Sequence, residues 1–296
     1  MSSSESDPMP LVLTVLASYW GYDLQIGEAA AAEQRNDIFS GLKYLKSLGL
    51  RWYIYESSMT NLKKRIDQRI PPIAILPGIQ DTAQHANVIS GFSSADRRIL
   101  TYVPEPDTYG AIPESKFEDM WAQENHIAII IIPDELRNIV ERDDLPYAGS
   151  CSLYFECDSM LQRGSIEEAK AKLEKGRTED HPLIWYLLGS IHSQNGSSEA
   201  VSCFESAVQM NPRYYLAYRA LGNYFLKNKQ YRKAEESYSK AIAINPARYA
   251  PIYKNRAICE IELGEAQGAK KDLLLYLEYL PNARDAAAVT SSIAQL

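Results

Sequence analysis

Cysteine and histidine are scarce in this 296-residue chain, which contains four of each. No cysteine precedes Cys151, and the four cysteines lack the spacing that is typical of zinc ligands. We therefore expect reduced, mostly buried thiols and neither a metal site nor another cofactor. The sequence also lacks any run of about 18 apolar residues, so no membrane-spanning helix and no direct membrane insertion are predicted.

Positive charge is scarce in the first half of the chain. Residues 1–150 contain 13 Lys and Arg against 21 Asp and Glu, whereas residues 151–296 contain 18 against 17. This balance argues against nucleic acid as a partner. The N-terminal sequence MSSSESDPMP is acidic where a signal peptide would be basic, so we expect a cytoplasmic protein, exported only if a signal peptide has been removed. Residues 1–9 are predicted to form a disordered lead-in.

The length of the chain indicates two domains. Apolar residues make up 46% of the sequence and charged residues 23%, a balance typical of globular proteins. The Pro-, Gly- and Ser-containing stretch DLPYAGS, which begins at Asp144, marks the predicted boundary. We therefore predict one domain over residues 10–147 and a second over residues 148–296.

Short apolar runs in the first domain are rich in β-branched residues and bounded by Gly, Pro, Ser or Asp, which predicts the strands of one sheet. The runs are Arg51–Tyr55, Ile73–Leu76, Asn87–Phe92, Ile99–Val103 and Ile127–Ile132. The stretch LVLTVLASYWG predicts a buried helix from Pro10 to Gly21. Further helices are predicted at Leu24–Ala32, Ile38–Leu48, Thr60–Arg69 and Phe117–Trp121. This order predicts an α+β domain.

Residues 10–134 resemble the bacteriocin-processing peptidases, papain-like cysteine peptidases that cut after double-glycine leaders. The segments that carry the resemblance are Tyr19-Trp20-Gly21, LKYLKSLGL, NLKKRIDQRIPPIAIL, His85 followed by Val88 and Gly91, and FEDMW with IAIIIIP. The resemblance implies a papain-like fold, with His85 at the position of the general base.

Two catalytic positions depart from the family pattern. The nucleophilic cysteine of the family begins the buried helix, and the aligned position here is Pro8. The aspartate that orients the histidine aligns with Val103, and Asp107 lies four residues too late. Triad residues act as a unit, so His85 is interpreted as vestigial and the domain as a pseudoenzyme. A serine nucleophile in the N-terminal MSSSES would instead give an active peptidase or amidohydrolase.

The second half of the chain repeats with a period of about 34 residues. Phe204, Ala207 and Pro212 recur as Tyr238, Ala241 and Pro246 and then, at nearly the same interval, as Leu273, Tyr276 and Pro281. This pattern resembles the tetratricopeptide repeat, which implies an all-α solenoid of stacked helix pairs. The predicted repeats are about 150–182, 183–214, 215–248 and 250–282, followed by a capping helix over 283–296.

The first helices of stacked repeats line a groove, for which five candidate facing residues are predicted. They are Arg219, Asn223, Tyr224, Lys254 and Asn255. Arg219, Lys254 and the nearby Lys227 and Arg256 could pair with an acidic peptide or a C-terminal carboxylate. A solvated basic face is the alternative, and the acidic first domain could itself occupy the groove.

Three functions remain open at this point. The first is a non-catalytic adaptor in which a pseudopeptidase domain and a repeat array bind a protein or peptide partner. The second is a structural subunit of a larger assembly, and the third is an active peptidase or amidohydrolase with an atypical nucleophile. The sequence leaves the partner and the oligomeric state open.

Overall fold

The computed structural model describes residues 8–25, 27, 38–78, 84–102, 109–176 and 179–296. Residues 28–37, which include most of the predicted Leu24–Ala32 helix, lie outside this range, as do residues 1–7 of the predicted lead-in and Val103. Two compact units are present, the first ending at Ile184 and the second beginning at Trp185. Elements are numbered below along the described residues.

The first unit contains a mixed set of helices and strands. In chain order they are α1 (Pro8–Tyr19), α2 (Ile38–Ser47), β1 (Leu50–Glu56), α3 (Met59–Asp67), β2 (Ile73–Pro77), β3 (Gln84–Ser93), β4 (Arg98–Tyr102), β5 (Tyr109–Pro113), α4 (Glu114–Ala122), β6 (Ile127–Pro133), a 3₁₀ turn (Asp134–Leu136), α5 (Arg137–Val140), α6 (Ala148–Gln162) and α7 (Ile166–Gly176). The predicted strands are all confirmed. The short strand β5 is an addition that its sequence, YGAIP, did not predict.

The six strands form one antiparallel sheet in the order β1-β6-β2-β3-β4-β5. Strand β6 lies between β1 and β2, and its six residues from Ile127 to Ile132 are all buried. A strand that is covered on both faces needs apolar side chains at consecutive positions, which explains the run IAIIII. Strand β5 is at the edge and pairs only with β4 among the described strands.

One face of the sheet packs on helices α3 and α4. Leu62 of α3 and Phe117 and Trp121 of α4 form a fully buried cluster with Leu76 of β2 and Ile130 of β6. The side chain of Ser58 caps α3 by accepting a hydrogen bond from the backbone N–H of Asn61 at 3.2 Å, as is typical of a serine before a helix. The mixed α/β architecture predicted for this half is therefore present.

The first unit extends beyond the predicted boundary at residue 147. Helix α6 packs on β1 and α2, and its apolar residues Cys151, Tyr154 and Cys157 are buried. The side chain of His181 lies 3.1 Å from Glu56, at the end of β1. The division between compact units therefore falls after residue 184, because α6, the first helix of the first predicted repeat, packs on strand β1.

The second unit is all-α. It contains most of α8 (Pro182–Gln194), followed by α9 (Glu199–Met210), α10 (Tyr215–Lys227), α11 (Tyr231–Ile244), α12 (Pro251–Glu262), α13 (Ala266–Tyr279) and α14 (Ala286–Gln295). Consecutive helices pack in pairs, α10 with α11 and α12 with α13, and α14 packs on α13. Helix α8 meets α9 through the ring contact between Tyr186 and Phe204. The predicted repeats 183–214, 215–248 and 250–282 each coincide with one of these pairs, whereas the predicted repeat at about 150–182 belongs to the first unit.

Small residues permit close approach within each helix pair. A methyl group at Gly189 would lie 2.7 Å from the ring of Phe204, and one at Gly222 would overlap the ring of Tyr238. In the third pair, Ala257 of α12 is the equivalent of these glycines. Helix α12 packs on α13, where Leu273 is the equivalent of Phe204 and Tyr238. The repeat period therefore reflects packing between the two helices of a pair.

Candidate functional site

A groove in the second unit lies between helices α8 and α10. Its lining includes Tyr186, Ser190 and Ser193 of α8 and Arg219 and Asn223 of α10, and its volume is about 200 Å³. These residues occupy the same helical face in two successive repeats, because Arg219 follows Tyr186, and Asn223 follows Ser190, at the same interval of one repeat. The groove is therefore a product of the repeat geometry.

Arg219 supplies positive charge to the groove. The central carbon of its guanidinium group lies 4.8 Å from the centre of the Tyr249 ring, and the side chain is half-buried. Within the described ranges, Arg219 forms no ion pair with a carboxylate. Stacking on an aromatic ring orients a guanidinium group without using its N–H donors. Arg219 can therefore donate hydrogen bonds to a carboxylate that enters the groove.

Asn223 is oriented by a residue of the second helix of its own pair. The Tyr238 hydroxyl donates a hydrogen bond to Asn223 Oδ1 at 2.8 Å. Burial raises the pKa of Tyr238, so the phenol stays protonated and remains a donor. Because its oxygen is already engaged, Asn223 offers its amide N–H groups to the groove. Arg219 and Asn223 thus present donors one helical turn apart.

Two of the five predicted groove residues, Arg219 and Asn223, line this site. Tyr224 is only 6% exposed and packs edge-to-face against Phe225, so it faces the interior of the stack. Lys254 donates to Asp285 at 2.6 Å, and Asn255 interacts with the Tyr238 hydroxyl. Sequence spacing alone could not distinguish these engaged side chains from available ones.

Arg256 is also unavailable to a ligand. It forms two hydrogen bonds to Asp272, at 2.6 and 2.7 Å, and one to Ser239 at 2.9 Å. The predicted basic face therefore reduces to Arg219 and the exposed Lys227 on α10. Conversely, the contributions of Tyr186, Ser190 and Ser193 were not predicted. These three residues are the equivalents, one repeat earlier in the sequence, of Arg219, Asn223 and Leu226, and this correspondence could have identified them.

In the first unit, His85 is buried and engaged. Its ring is 7% exposed, and Nδ1 lies 2.6 Å from the backbone oxygen of Pro77. His85 pairs with Leu76, whose side chain belongs to the cluster with α3 and α4. Residues paired across antiparallel strands project to the same face, so His85 projects toward those helices.

The described parts of the chain contain no group of three His, Cys, Asp or Glu side chains placed to hold a metal ion. Their helices are too short or too polar to cross a membrane. All four cysteines are buried, as predicted, and none of them forms a disulfide with another; burial raises the pKa of Cys157 and Cys259 to about 11.

Comparison with known proteins identifies the repeats. A family model described as tetratricopeptide repeat matches residues 193–249. Human tetratricopeptide repeat protein 6 is 25% identical over 154 residues, which are 51% of this chain and 26% of that protein. Anaphase-promoting complex subunit 3 of Schizosaccharomyces pombe is 33% identical over 73 residues, 24% of this chain and 11% of that protein. The chain thus spans about a quarter or less of the length of these relatives.

Among solved structures, the APC/C hetero-tetramer Cut9-Hcn1 matches with a TM-score of 0.44 and 18% identity, over 48% of this chain and 29% of that chain. The family match and the curated relatives, together with the helix pairs of the second unit, show that the C-terminal part of the chain consists of tetratricopeptide repeats. The prediction of a helical repeat solenoid is confirmed.

Proposed function

We propose that this chain is a non-catalytic adaptor whose repeats bind a carboxylate-bearing segment of a protein or peptide partner in the α8–α10 groove. The observation that carries the proposal is Arg219, a half-buried cation without an ion-pair partner among the described residues. Asn223 and two serines surround it in the groove. Hydrogen bonds to charged groups contribute about 1.5–3 kcal/mol each, so a carboxylate is the favoured ligand group.

The relatives support an interaction role. The name of the Schizosaccharomyces pombe relative describes a subunit of a multiprotein complex, and the family model describes a repeat. A stacked repeat array offers an extended concave surface, which suits an elongated polypeptide segment.

We further propose that the first unit is a degenerate papain-like domain. The observation that favours this relationship is the packing of α1, the helix aligned with the nucleophile helix, on β3, the strand that bears His85. Helix α1 begins at Pro8, which offers no nucleophile. The engagement of His85 with the Pro77 carbonyl supports a structural role for this histidine in place of catalysis.

A screen with the full-length chain tests the groove proposal. A library of random heptapeptides with free C-terminal carboxylates is selected against the chain, and the affinity of each hit is measured by fluorescence anisotropy together with its C-terminal amide. We expect binding to weaken at least tenfold on amidation and in Arg219→Gln. Lys271→Gln, which removes an exposed charge from α13, is the matched control. Hits that bind equally well as amides, or equally well to Arg219→Gln, would refute the proposal.

A structural subunit is the second candidate function. It is favoured by exposed apolar side chains in the second unit, namely Ile258, Ile261, Leu274 and Tyr279. A permanent interface would bury such residues in a stable complex. In that case the chain would copurify with a stoichiometric partner that competing carboxylate peptides do not release, whereas the adaptor proposal requires release.

A further inference from the structure

Helix α12 presents two exposed isoleucines on one face. Ile258 is 41% exposed and Ile261 is 42% exposed, and they are one helical turn apart. Large aliphatic side chains are usually buried, so two neighbouring exposed ones mark a candidate contact surface.

The repeat places these isoleucines in the groove rows that α10 defines. Ile258 follows Asn223, and Ile261 follows Leu226, at the interval that separates the second repeat from the third. Helices α10 and α12 are in contact, and the Tyr249 ring under Arg219 belongs to the segment that leads into α12. The isoleucines therefore continue the lining of the groove by one further repeat.

The lining of the groove changes from polar to apolar along its length. The row that contains Ser190 and Asn223 is polar in the first two helices and becomes apolar at Ile258. Glu262, exposed on α12 next to Ile261, adds a negative charge to the apolar part, whereas the cation Arg219 lies on α10, one repeat away. A ligand carboxylate is attracted by Arg219 and is therefore expected on α10, beside the polar part of the groove.

We infer that Ile258 and Ile261 form a subsite for a large aliphatic side chain of the bound segment, about three residues away from its carboxylate. This inference rests on the proposed function of the groove and specifies its ligand. Adjacent packed helices are about 8–10 Å apart, and an extended chain advances about 3.3 Å per residue. The step from α10 to α12 therefore corresponds to about three residues.

The random heptapeptide library with free C-terminal carboxylates tests the subsite. For the wild-type chain we expect selection of Leu, Ile, Val, Met or Phe about three residues before the C-terminal residue. The double variant Ile258→Ser/Ile261→Ser is expected to lose this preference while its binding still depends on the carboxylate and on Arg219. Because both isoleucines are exposed, the double variant should keep the wild-type helix content, measured by circular dichroism.

Affinity measurements on one selected peptide quantify the contact. Replacing its aliphatic residue by Ser should weaken binding to wild type about tenfold, since burial of such a side chain contributes about 1.5 kcal/mol or more. The same replacement should have little effect on binding to the double variant. Leu274→Ser, which changes an exposed leucine on α13, is the matched control and should behave as wild type.

The outcomes separate the two proposals. Carboxylate-dependent hits with no aliphatic preference, or a preference that survives in the double variant, would overturn the subsite and leave the groove proposal standing. Hits that do not depend on the carboxylate would overturn the groove proposal and the subsite together.

Discussion

The third repeat contains a buried cluster of ionisable residues whose effect on stability depends on pH. Asp272 is 1% exposed and is neutralised by its two hydrogen bonds with Arg256. Glu260, 8% exposed, adds a second carboxyl group, and its Oε2 accepts no hydrogen bond from the described residues. Arg256 can balance only one of the two negative charges, so Glu260 is an uncompensated buried acid.

The environment of Glu260 favours its protonated form. Burial, followed by the negative charge of Asp272, raises the pKa of Glu260 to about 7, and Arg256 opposes the shift. Glu235 on α11 and Glu265, which precedes α13, add further negative potential. Between the ordinary value of 4.5 and about 7, the folded chain keeps a proton that the unfolded chain releases. The free energy of unfolding therefore falls as pH rises through this window, and this loss is complete above it.

The size of the effect follows from the shift. A shift from 4.5 to about 7 corresponds to roughly 3 kcal/mol, of which about 2.5 kcal/mol is lost between pH 5 and pH 8. Glu260→Gln removes the titrating group and keeps the shape of the side chain. Relative to wild type, the variant should gain stability at pH 8 and gain much less at pH 5, the difference being about 2 kcal/mol.

Hydrogen exchange of peptides that cover α12 and α13 measures this difference in the full chain. Comparing variant with wild type at each pH cancels the intrinsic pH dependence of amide exchange. Glu278→Gln, which changes an exposed carboxylate on α13, is the control and should show no pH-dependent difference. The reasoning would be refuted by a Glu260→Gln effect of equal size at pH 5 and pH 8.

Two more predictions concern packing and catalysis. Gly222→Ala should lower the free energy of unfolding by about 1–3 kcal/mol in urea denaturation, because the new methyl group overlaps the buried Tyr238 ring; Gly149→Ala, where a methyl group meets nothing within 4 Å, is the control. His85→Ala should leave any peptide cleavage by the purified chain at the level of a no-protein blank, as wild type does, in assays on double-glycine leader peptides. Cleavage by wild type that His85→Ala abolishes would contradict the pseudoenzyme interpretation.

Sequence reasoning succeeded where structure depends on local periodicity. The apolar, β-branched runs of β1 to β4 and of β6 predicted their strands, and the recurrence of Phe204, Ala207 and Pro212 as Tyr238, Ala241 and Pro246 predicted the helix pairs. Strand β5 was not predicted, because a short edge strand containing Gly and Pro is selected by pairing with β4 and not by its own propensity.

The candidate site was predicted only in part, for a different reason. Repeat register nominated Arg219 and Asn223, which line the groove, but it also nominated Tyr224, which packs inside the stack. Lys254 was nominated for its charge, yet the structure pairs it with Asp285, 31 residues away. Whether a charged side chain is available depends on partners that are distant in the chain.

By itself, the sequence determined the architecture of the repeats. Each helix pair is built from contacts within a single repeat, and the small and large residues that make these contacts recur in the sequence at the repeat interval. It also determined that residue 8, where the resemblance places a nucleophile, is a proline. Only the tertiary structure decided that α6 packs on β1, that Arg256 pairs with Asp272, and that the Arg219 guanidinium group lies over the Tyr249 ring. These outcomes depend on long-range packing and charge pairing, which local patterns do not encode.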